Sequence, residues 1–158
     1  MSTPIPEGFI GRATELRYAI ALPSTDPSTL TLKRFGMCRG KSLDVQWDTT
    51  DATGDTSPDY TRQNLVTFKS ASISTEYVRM KADQENQREL IKHIVSPGAA
   101  TDFQPSAYLE YTNPIEGMVI SGFFIGNTSN FSDGFDAEAT GTLEFMSNSA
   151  ITLDYPVV

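Results

Sequence analysis

Four aspartates lie in one polar stretch of the chain, and carboxylate oxygens are the ligands that Ca²⁺ takes in proteins. The stretch runs from Asp48 to Arg62 and contains no Val, Ile, Leu, Met or Phe. An EF-hand loop has glycine at its sixth position and glutamate at its twelfth, whereas counting from Asp51 gives Thr56 and Arg62. The spacing therefore disfavours an EF-hand and leaves a calcium-binding β module only as an alternative.

Nucleophilic catalysis and transition-metal binding find little support among the remaining residues. His93 is the single histidine and Cys38 the single cysteine, whereas metal sites and catalytic triads need several such groups together. The glycines form no phosphate-binding pattern. We therefore predict that the protein is not an enzyme and binds neither a metal nor a cofactor.

Two further constellations keep other functions open. Paired acids such as Glu110 with Glu116, or Glu138 with Glu144, are the residue type of glycosidases, but spacing along the chain does not fix the separation that this chemistry needs. An aromatic platform for sugars is the second possibility, although aromatic residues on strands more often belong to the core; its members would be Trp47, Tyr60, Tyr108 and Tyr111. A monomeric carbohydrate-binding β module is thus the other alternative.

The charge is unevenly distributed along the chain. The formal net charge is −8, all 12 Lys and Arg lie at or before Lys92, and eight of the 20 acids follow it. An acidic surface repels phosphate, which disfavours a nucleic-acid reader and binding to anionic membranes. The N-terminus lacks the basic cluster and apolar run of a signal peptide, so we expect the protein to stay in the compartment that made it.

Alternating apolar and polar residues predict a chain made mainly of strands. We expect strands at 16–20, from Leu30 onward, and at 41–48, 65–78, 107–111, 117–125 and 135–145, the last with one apolar and one acidic face. Helical spacing appears only over 83–95, where Asp83 is a plausible N-cap and Ser96-Pro97-Gly98 ends the helix. The predicted fold is mainly β: one domain, an antiparallel β sandwich or barrel with one α-helix packed on it.

Three segments have no evident place in such a domain. Residues 1–13 read as an extended N-terminal arm, 48–62 as a long loop between strands, and 151–158 as either a short strand or a second arm. Spare segments of this kind are commonly completed by other subunits.

The order of these segments resembles the tail tube protein (major tail protein) of long-tailed bacteriophages. The resemblance covers nearly the whole chain and rests on Leu16-Arg-Tyr-Ala-Ile-Ala21, Lys33-Arg-Phe-Gly36, Lys41-Ser-Leu-Asp-Val45, the 48–62 loop, the 65–73 strand, the single helix and Ala139-Thr-Gly-Thr-Leu-Glu-Phe145. It implies a structural virion protein whose stacked rings, commonly of six subunits, close a β-barrel around a channel for DNA. Its implied partners are copies of itself, a tape-measure protein and terminator or tip proteins. DNA would be present only as cargo, no membrane would be bound, and assembly would take place in the host cytoplasm.

Combining the resemblance with the residue patterns gives three sets of expected assembly residues. The loop is expected to make the contact between rings, through Asp48, Asp51, Asp55, Asp59, Tyr60 and Arg62. The arms are expected to order on assembly, through Ile5, Phe9, Ile10, Tyr155 and Val157. Two polar strand faces are the alternatives for the channel lining, namely Ser70, Ser72, Ser74 and Glu76, or Glu138, Thr140, Thr142 and Glu144.

Overall fold

The structure is a computed structural model that describes residues 13–36, 38–54, 61–80 and 86–156. Within these ranges the chain forms one α-helix, as expected, and eight strands, of which seven were expected and the eighth is the short C-terminal strand that the sequence left open. The strands are β1 (Glu15–Ile20), β2 (Lys33–Arg34), β3 (Cys38–Asp51), β4 (Asn64–Val78), β5 (Ser106–Asn113), β6 (Met118–Ser132), β7 (Thr140–Ser147) and β8 (Thr152–Asp154), and the helix is α1 (Gln87–Val95). No helix in the described ranges is long and apolar enough to cross a membrane.

All strand pairs are antiparallel and form one sheet in the order β2-β1-β5-β6-β7-β4-β3, with β8 added beside β6. Strand β6 joins two halves of this sheet, because Met118–Ile125 pair with β5 while Phe124–Ser132 pair with β7. The sheet ends at β2 and β3, which do not pair with each other, so it is not closed as a barrel in the single subunit. The predicted class, an antiparallel β fold with one helix, is confirmed.

The two halves of the sheet and α1 enclose a single apolar core. Alternation along the strands places every second residue inside, and the fully buried members include Leu16, Ile73, Leu109, Phe124, Leu143 and Phe145. Phe35 stands edge-on to Tyr77 with ring centroids 5.2 Å apart, a favourable geometry for aromatic pairs.

Helix α1 is fixed to the sheet at its first residue. Gln87 is buried and donates through Nε2 to the carbonyls of Gly36 (3.0 Å) and Val78 (2.9 Å), while its Oε1 accepts from the Met80 amide. Asn86, with φ of 58°, precedes the helix and Ser96 caps its end, as expected; the predicted start at Asp83 lies outside the described residues.

Three predicted strands differ substantially from the structure. Leu30 is not in a strand, because its amide bonds to Pro27 in a turn capped by Asp26, and β2 begins only at Lys33. The prediction that 135–145 is one strand with Phe135 inside is wrong: a turn after Gly134 leaves Phe135 fully exposed, and β7 begins at Thr140. Strand β6 continues past the predicted end at Ile125, because its polar residues pair with β7.

Candidate assembly surfaces

One continuous polar face covers four adjacent strands, β3, β4, β7 and β6. Ser74 pairs with Ser42 on one side and with Glu144 on the other, and Glu144 pairs in turn with Thr128. Side chains of directly paired residues point to the same face of a sheet. We call this surface the polar face; its polar members are Ser42, Asp44, Gln46, Ser70, Ser72, Ser74, Glu76, Thr128, Asn130, Ser132, Thr140, Thr142 and Glu144.

The two sets of residues proposed as alternatives for a channel lining therefore come together on one surface. Ser74 lies opposite Glu144, and Glu76 lies opposite Thr142. The sequence could not relate the two sets because it does not specify that β4 pairs with β7. Glu138 lies before β7 and is not one of the paired residues; its carboxylate forms an ion pair with Arg39, and it lines a depression with Glu76 and Thr140 at the end of the face.

The paired residues of the polar face are acidic and otherwise neutral, and the cation beside them is Arg39 in the β3 bulge, which lies near Glu76 and forms an ion pair with Glu138. The face carries three carboxylates, those of Asp44, Glu76 and Glu144, and its paired members include no Lys or Arg. The opposite side of the same strands is apolar and packs into the core through residues such as Ala71, Ile73 and Phe145. The four strands are therefore a two-sided wall with one buried side and one acidic, hydroxyl-rich side.

Strands β3 and β4 extend beyond the core as a projecting hairpin, which we define as 45–51 together with 64–70. Every residue in it is exposed. It nevertheless carries large apolar side chains that would be costly to leave in water, with exposed fractions of 47% for Val45, 56% for Trp47, 59% for Leu65, 57% for Val66 and 75% for Phe68. A hairpin of this composition is suited to contact another molecule.

The tip of the hairpin is shorter than the predicted 48–62 loop. Strand β3 continues through Asp48 to Asp51, and β4 begins at Asn64. Asp51 accepts hydrogen bonds from Thr53, and these hold the pKa of its carboxyl below the ordinary value. Arg62 is exposed beside the tip; Asp55, Asp59 and Tyr60 lie outside the described residues.

The wall of four strands has two unpaired edges in the described part of the chain. One is the outer edge of β3, which pairs only with β4. The other is the side of β6 facing away from β7 beyond Gly126, because β5 pairs with β6 no further than Ile125. Unpaired edges present free backbone donors and acceptors to another strand. This second edge was not predicted, because residues 127–132 lack the apolar alternation of a strand.

The C-terminal segment is a short strand, the first of the two possibilities left open by the sequence. Strand β8 pairs with Val119–Ser121 of β6, and the Tyr155 hydroxyl donates to the Glu116 carboxylate. This hydrogen bond is the main cause that raises the pKa of Tyr155. Four of the expected arm residues lie outside the described residues, namely Ile5, Phe9, Ile10 and Val157.

The residues with metal-binding or catalytic chemistry remain apart. His93 is buried with Nε2 2.8 Å from the Ser106 carbonyl. The Thr75 hydroxyl donates a hydrogen bond to Sγ of Cys38, and burial raises the pKa of the Cys38 thiol. The described residues contain no group of three or more His, Cys, Asp or Glu that could hold a metal ion.

These features define a class of β protein with an uncompleted sheet, a polar wall and a projecting hairpin. Solved structures share this fold. A chain from the virion of a native gene transfer agent particle aligns with a TM-score of 0.69 and 17% identity over 93% of this chain and 99% of that chain. A chain from the tail of an empty gene transfer agent particle, refined with C6 symmetry, aligns with a TM-score of 0.67 and 19% identity. The alignment covers 95% of this chain and 100% of that chain.

The SPP1 tail tube supplies a third similar structure, with a TM-score of 0.63 and 10% identity over 96% of this chain and 81% of that chain. No protein-family model matches the sequence, and no curated protein matches it significantly. The chain therefore has the fold of tail tube proteins, which confirms the fold that the resemblance implied.

Proposed function

We propose that this protein is a structural, non-enzymatic virion subunit that assembles into stacked rings and forms the tube through which phage DNA passes. The observation that carries the proposal is the open four-strand wall, which has one buried side, one acidic side and two unpaired edges. Its fold, shared with chains of a gene transfer agent tail and of the SPP1 tail tube, supports the same function.

The strand directions allow the wall to continue from one subunit to the next. The strands of the wall, in the order β3-β4-β7-β6, alternate in direction. Because their number is even, β3 and β6 run in opposite directions, and the β6 edge of one copy can pair antiparallel with the β3 edge of another. The same contact repeated around an axis closes a ring and removes both edges. Four strands from each of six subunits would give about 24 strands, above the roughly 16 to 18 that already enclose an aqueous channel in porins.

In such a ring the polar face lines the channel, because the apolar side of the wall is already covered by the core of the subunit. Its carboxylates repel the DNA backbone. Neutralising phosphates with Lys or Arg would instead hold the DNA tightly at low salt. A lining of hydroxyls and carboxylates thus lets DNA pass without binding.

The projecting hairpin extends beyond the core at the end of the wall opposite the 133–139 turn. A contact between different patches at opposite ends of a subunit repeats without closing and generates a filament. We therefore assign the outer part of the hairpin, with Asp48, Asp51 and Arg62 near its tip, to the contact between successive rings. Asp55, Asp59 and Tyr60, the N-terminal arm and Val157 keep the assembly roles expected from the sequence.

The proposed partners are further copies of the chain, a tape-measure protein inside the tube and terminator or tip proteins at its ends. The proposed location is the tail of the virion, with assembly in the host cytoplasm.

Negative-stain microscopy of the purified full chain at increasing concentration tests this function. We expect rings or hollow tubes above a threshold concentration and monomers below it. A chain that stays monomeric at high concentration, or that melts at a higher temperature when calcium or an oligosaccharide is added, would contradict the proposal in favour of a binding module.

A further inference from the structure

A cavity of about 400 Å³ lies between α1 and the end of the wall, next to the unpaired β6 edge. Its lining contains the apolar side chains of Ile91, Val95 and Phe131 and three cations, Arg79, Arg88 and Lys92, together with Met80 and Gln87. Val95 is 61% exposed and Phe131 is 48% exposed, so both present apolar surface to solvent in the single subunit. We call this cavity the α1 groove.

The position of the groove follows from local packing. Gly126 has no side chain, and a Cβ atom there would lie only 2.8 Å from Ile94, so the glycine allows α1 to approach β6 closely. Arg79 extends over the Phe131 ring at 5.2 Å from its centroid and also pairs with Asp133 at 2.6 Å. The groove is therefore a formed feature on the core side of the β6 edge.

The β3 edge carries apolar side chains on the core side of the sheet, the same side on which the α1 groove lies. Val45 and Trp47 share the parity of Leu43, which packs against the core, yet both extend past the core and are about half exposed. Lys69 lies 5.5 Å from the centre of the Trp47 ring in the same subunit. The large apolar side chains here are those expected at the centre of an interface rather than on a free surface.

We propose that Val45 and Trp47 of one subunit insert into the α1 groove of the next subunit in the ring. This inference rests on the proposed function, because it uses the antiparallel contact between the β3 edge and the β6 edge. In that contact the core-side residues of β3 lie beside the core side of β6, where the groove opens.

Trp47 is the only tryptophan of the chain, so its fluorescence reports directly on this contact. We expect the emission of assembled wild-type protein to shift to shorter wavelength and its quenching by acrylamide to fall several-fold relative to the monomer. Tubes in which Trp47 remains as accessible as in the monomer would overturn the inference while leaving the tube function intact.

A pair of matched variants tests the groove itself. Val95→Gln places a polar amide in the groove and does not lower helix propensity. Ile115→Gln introduces the same amide outside the groove, and both residues are 61% exposed. We expect the critical concentration for assembly, measured by sedimentation, to rise at least about tenfold for Val95→Gln, a factor that corresponds to about 1.4 kcal/mol. The Ile115→Gln variant should assemble like wild type.

A double-mutant cycle decides which segment occupies the groove. Val45→Gln combined with Val95→Gln should raise the critical concentration by clearly less than the product of the two single effects, because the residues share one contact. Multiplicative effects, or equal effects of the Val95 and Ile115 variants, would overturn the inference. An effect of Val95→Gln in tubes whose Trp47 stays accessible would also overturn it and indicate another occupant, such as residues 1–12 of a neighbour. A chain that never assembles would contradict the tube function as well.

Discussion

Gln87 is the residue whose side chain connects three parts of the fold. It binds the carbonyls of Gly36 and Val78 and the amide of Met80 from a buried position. Truncation leaves buried polar groups without partners, at about 1 to 3 kcal/mol each. We predict that Gln87→Ala lowers the free energy of unfolding by about 2 to 4 kcal/mol in a urea titration, whereas exposed Gln104→Ala changes it by less than about 0.5 kcal/mol. Equal effects of the two variants would contradict this.

A second residue-level prediction concerns Gly141, opposite Tyr77 in the sheet. A Cβ atom at Gly141 would clash with the Tyr77 hydroxyl oxygen, which is buried, whereas a Cβ atom at Gly40 meets nothing within 4 Å. We expect Gly141→Ala to destabilise the subunit by roughly 1 to 3 kcal/mol through overpacking. Gly40→Ala should be neutral or slightly stabilising. Thermal unfolding of both variants checks the difference, and similar melting temperatures would refute the close contact.

The hydrogen bond between Tyr155 and Glu116 depends on pH. Because it raises the pKa of Tyr155, the stabilisation from this hydrogen bond is fully present below the ordinary tyrosine pKa of about 10. That stabilisation is lost as the pH rises through the raised value, while the pairing of β8 with β6 remains. The phenolate absorbance of Tyr155 is obtained by subtracting the absorbance of Tyr155→Phe from that of wild type, and we expect it to titrate above the ordinary value. Glu116→Gln should return the titration toward normal, and an unshifted titration in wild type would show that the hydrogen bond does not form.

At the scale of elements, the hairpin tip is predicted to be dispensable for folding and required for stacking. The described residues on either side of the tip, 52–54 and 61–63, are exposed, and Asn-Gly supports a tight two-residue turn. Replacing residues 54–61 by Asn-Gly should leave the melting temperature within about 2 °C of wild type and should stop polymerisation at single rings, as judged by microscopy and sedimentation. Tubes of normal length from this variant would contradict the stacking role.

The sequence predicts those elements whose pattern arises from the core. Strand β4 alternates through Ala71, Ile73 and Tyr77 because its inner side is buried, and α1 shows helical spacing for the same reason. The end of β6 and the start of β7 could not be predicted, because residues 127–132 are held by pairing rather than by burial. Phe135 is apolar yet fully exposed. Its hydrophobicity therefore led to the wrong prediction that β7 begins there.

The candidate assembly surfaces also contain features that the sequence predicts and features that it does not. The sequence predicts the polar side of each strand separately, for example Ser74 in β4 and Glu144 in β7. It does not predict that these residues lie opposite each other, because that depends on the long-range pairing of β4 with β7. The α1 groove had no sequence signal, because its lining comes from a helix, the end of β4 and the end of β6.

At the scale of the whole molecule, the charge of the polar face is predicted to keep DNA mobile in the channel. Glu76→Lys combined with Glu144→Lys replaces two carboxylates per subunit with cations that bind phosphate. We expect tubes of this variant to form and to retain a short DNA duplex on sedimentation at about 50 mM salt, with release as salt rises. The charge-neutral pair Glu76→Gln and Glu144→Gln should retain none. Equal behaviour of both tubes toward DNA would refute a channel lined by this face.

A helical reconstruction of the assembled protein by electron cryomicroscopy would reveal which side of the wall lines the channel and how neighbouring subunits join. We predict a ring in which the polar face, with Ser74, Glu76 and Glu144, points to the axis and β3 of each subunit runs antiparallel to β6 of the next. A reconstruction with these side chains on the outer surface, or with the β3 and β6 edges left unpaired, would contradict the proposed tube.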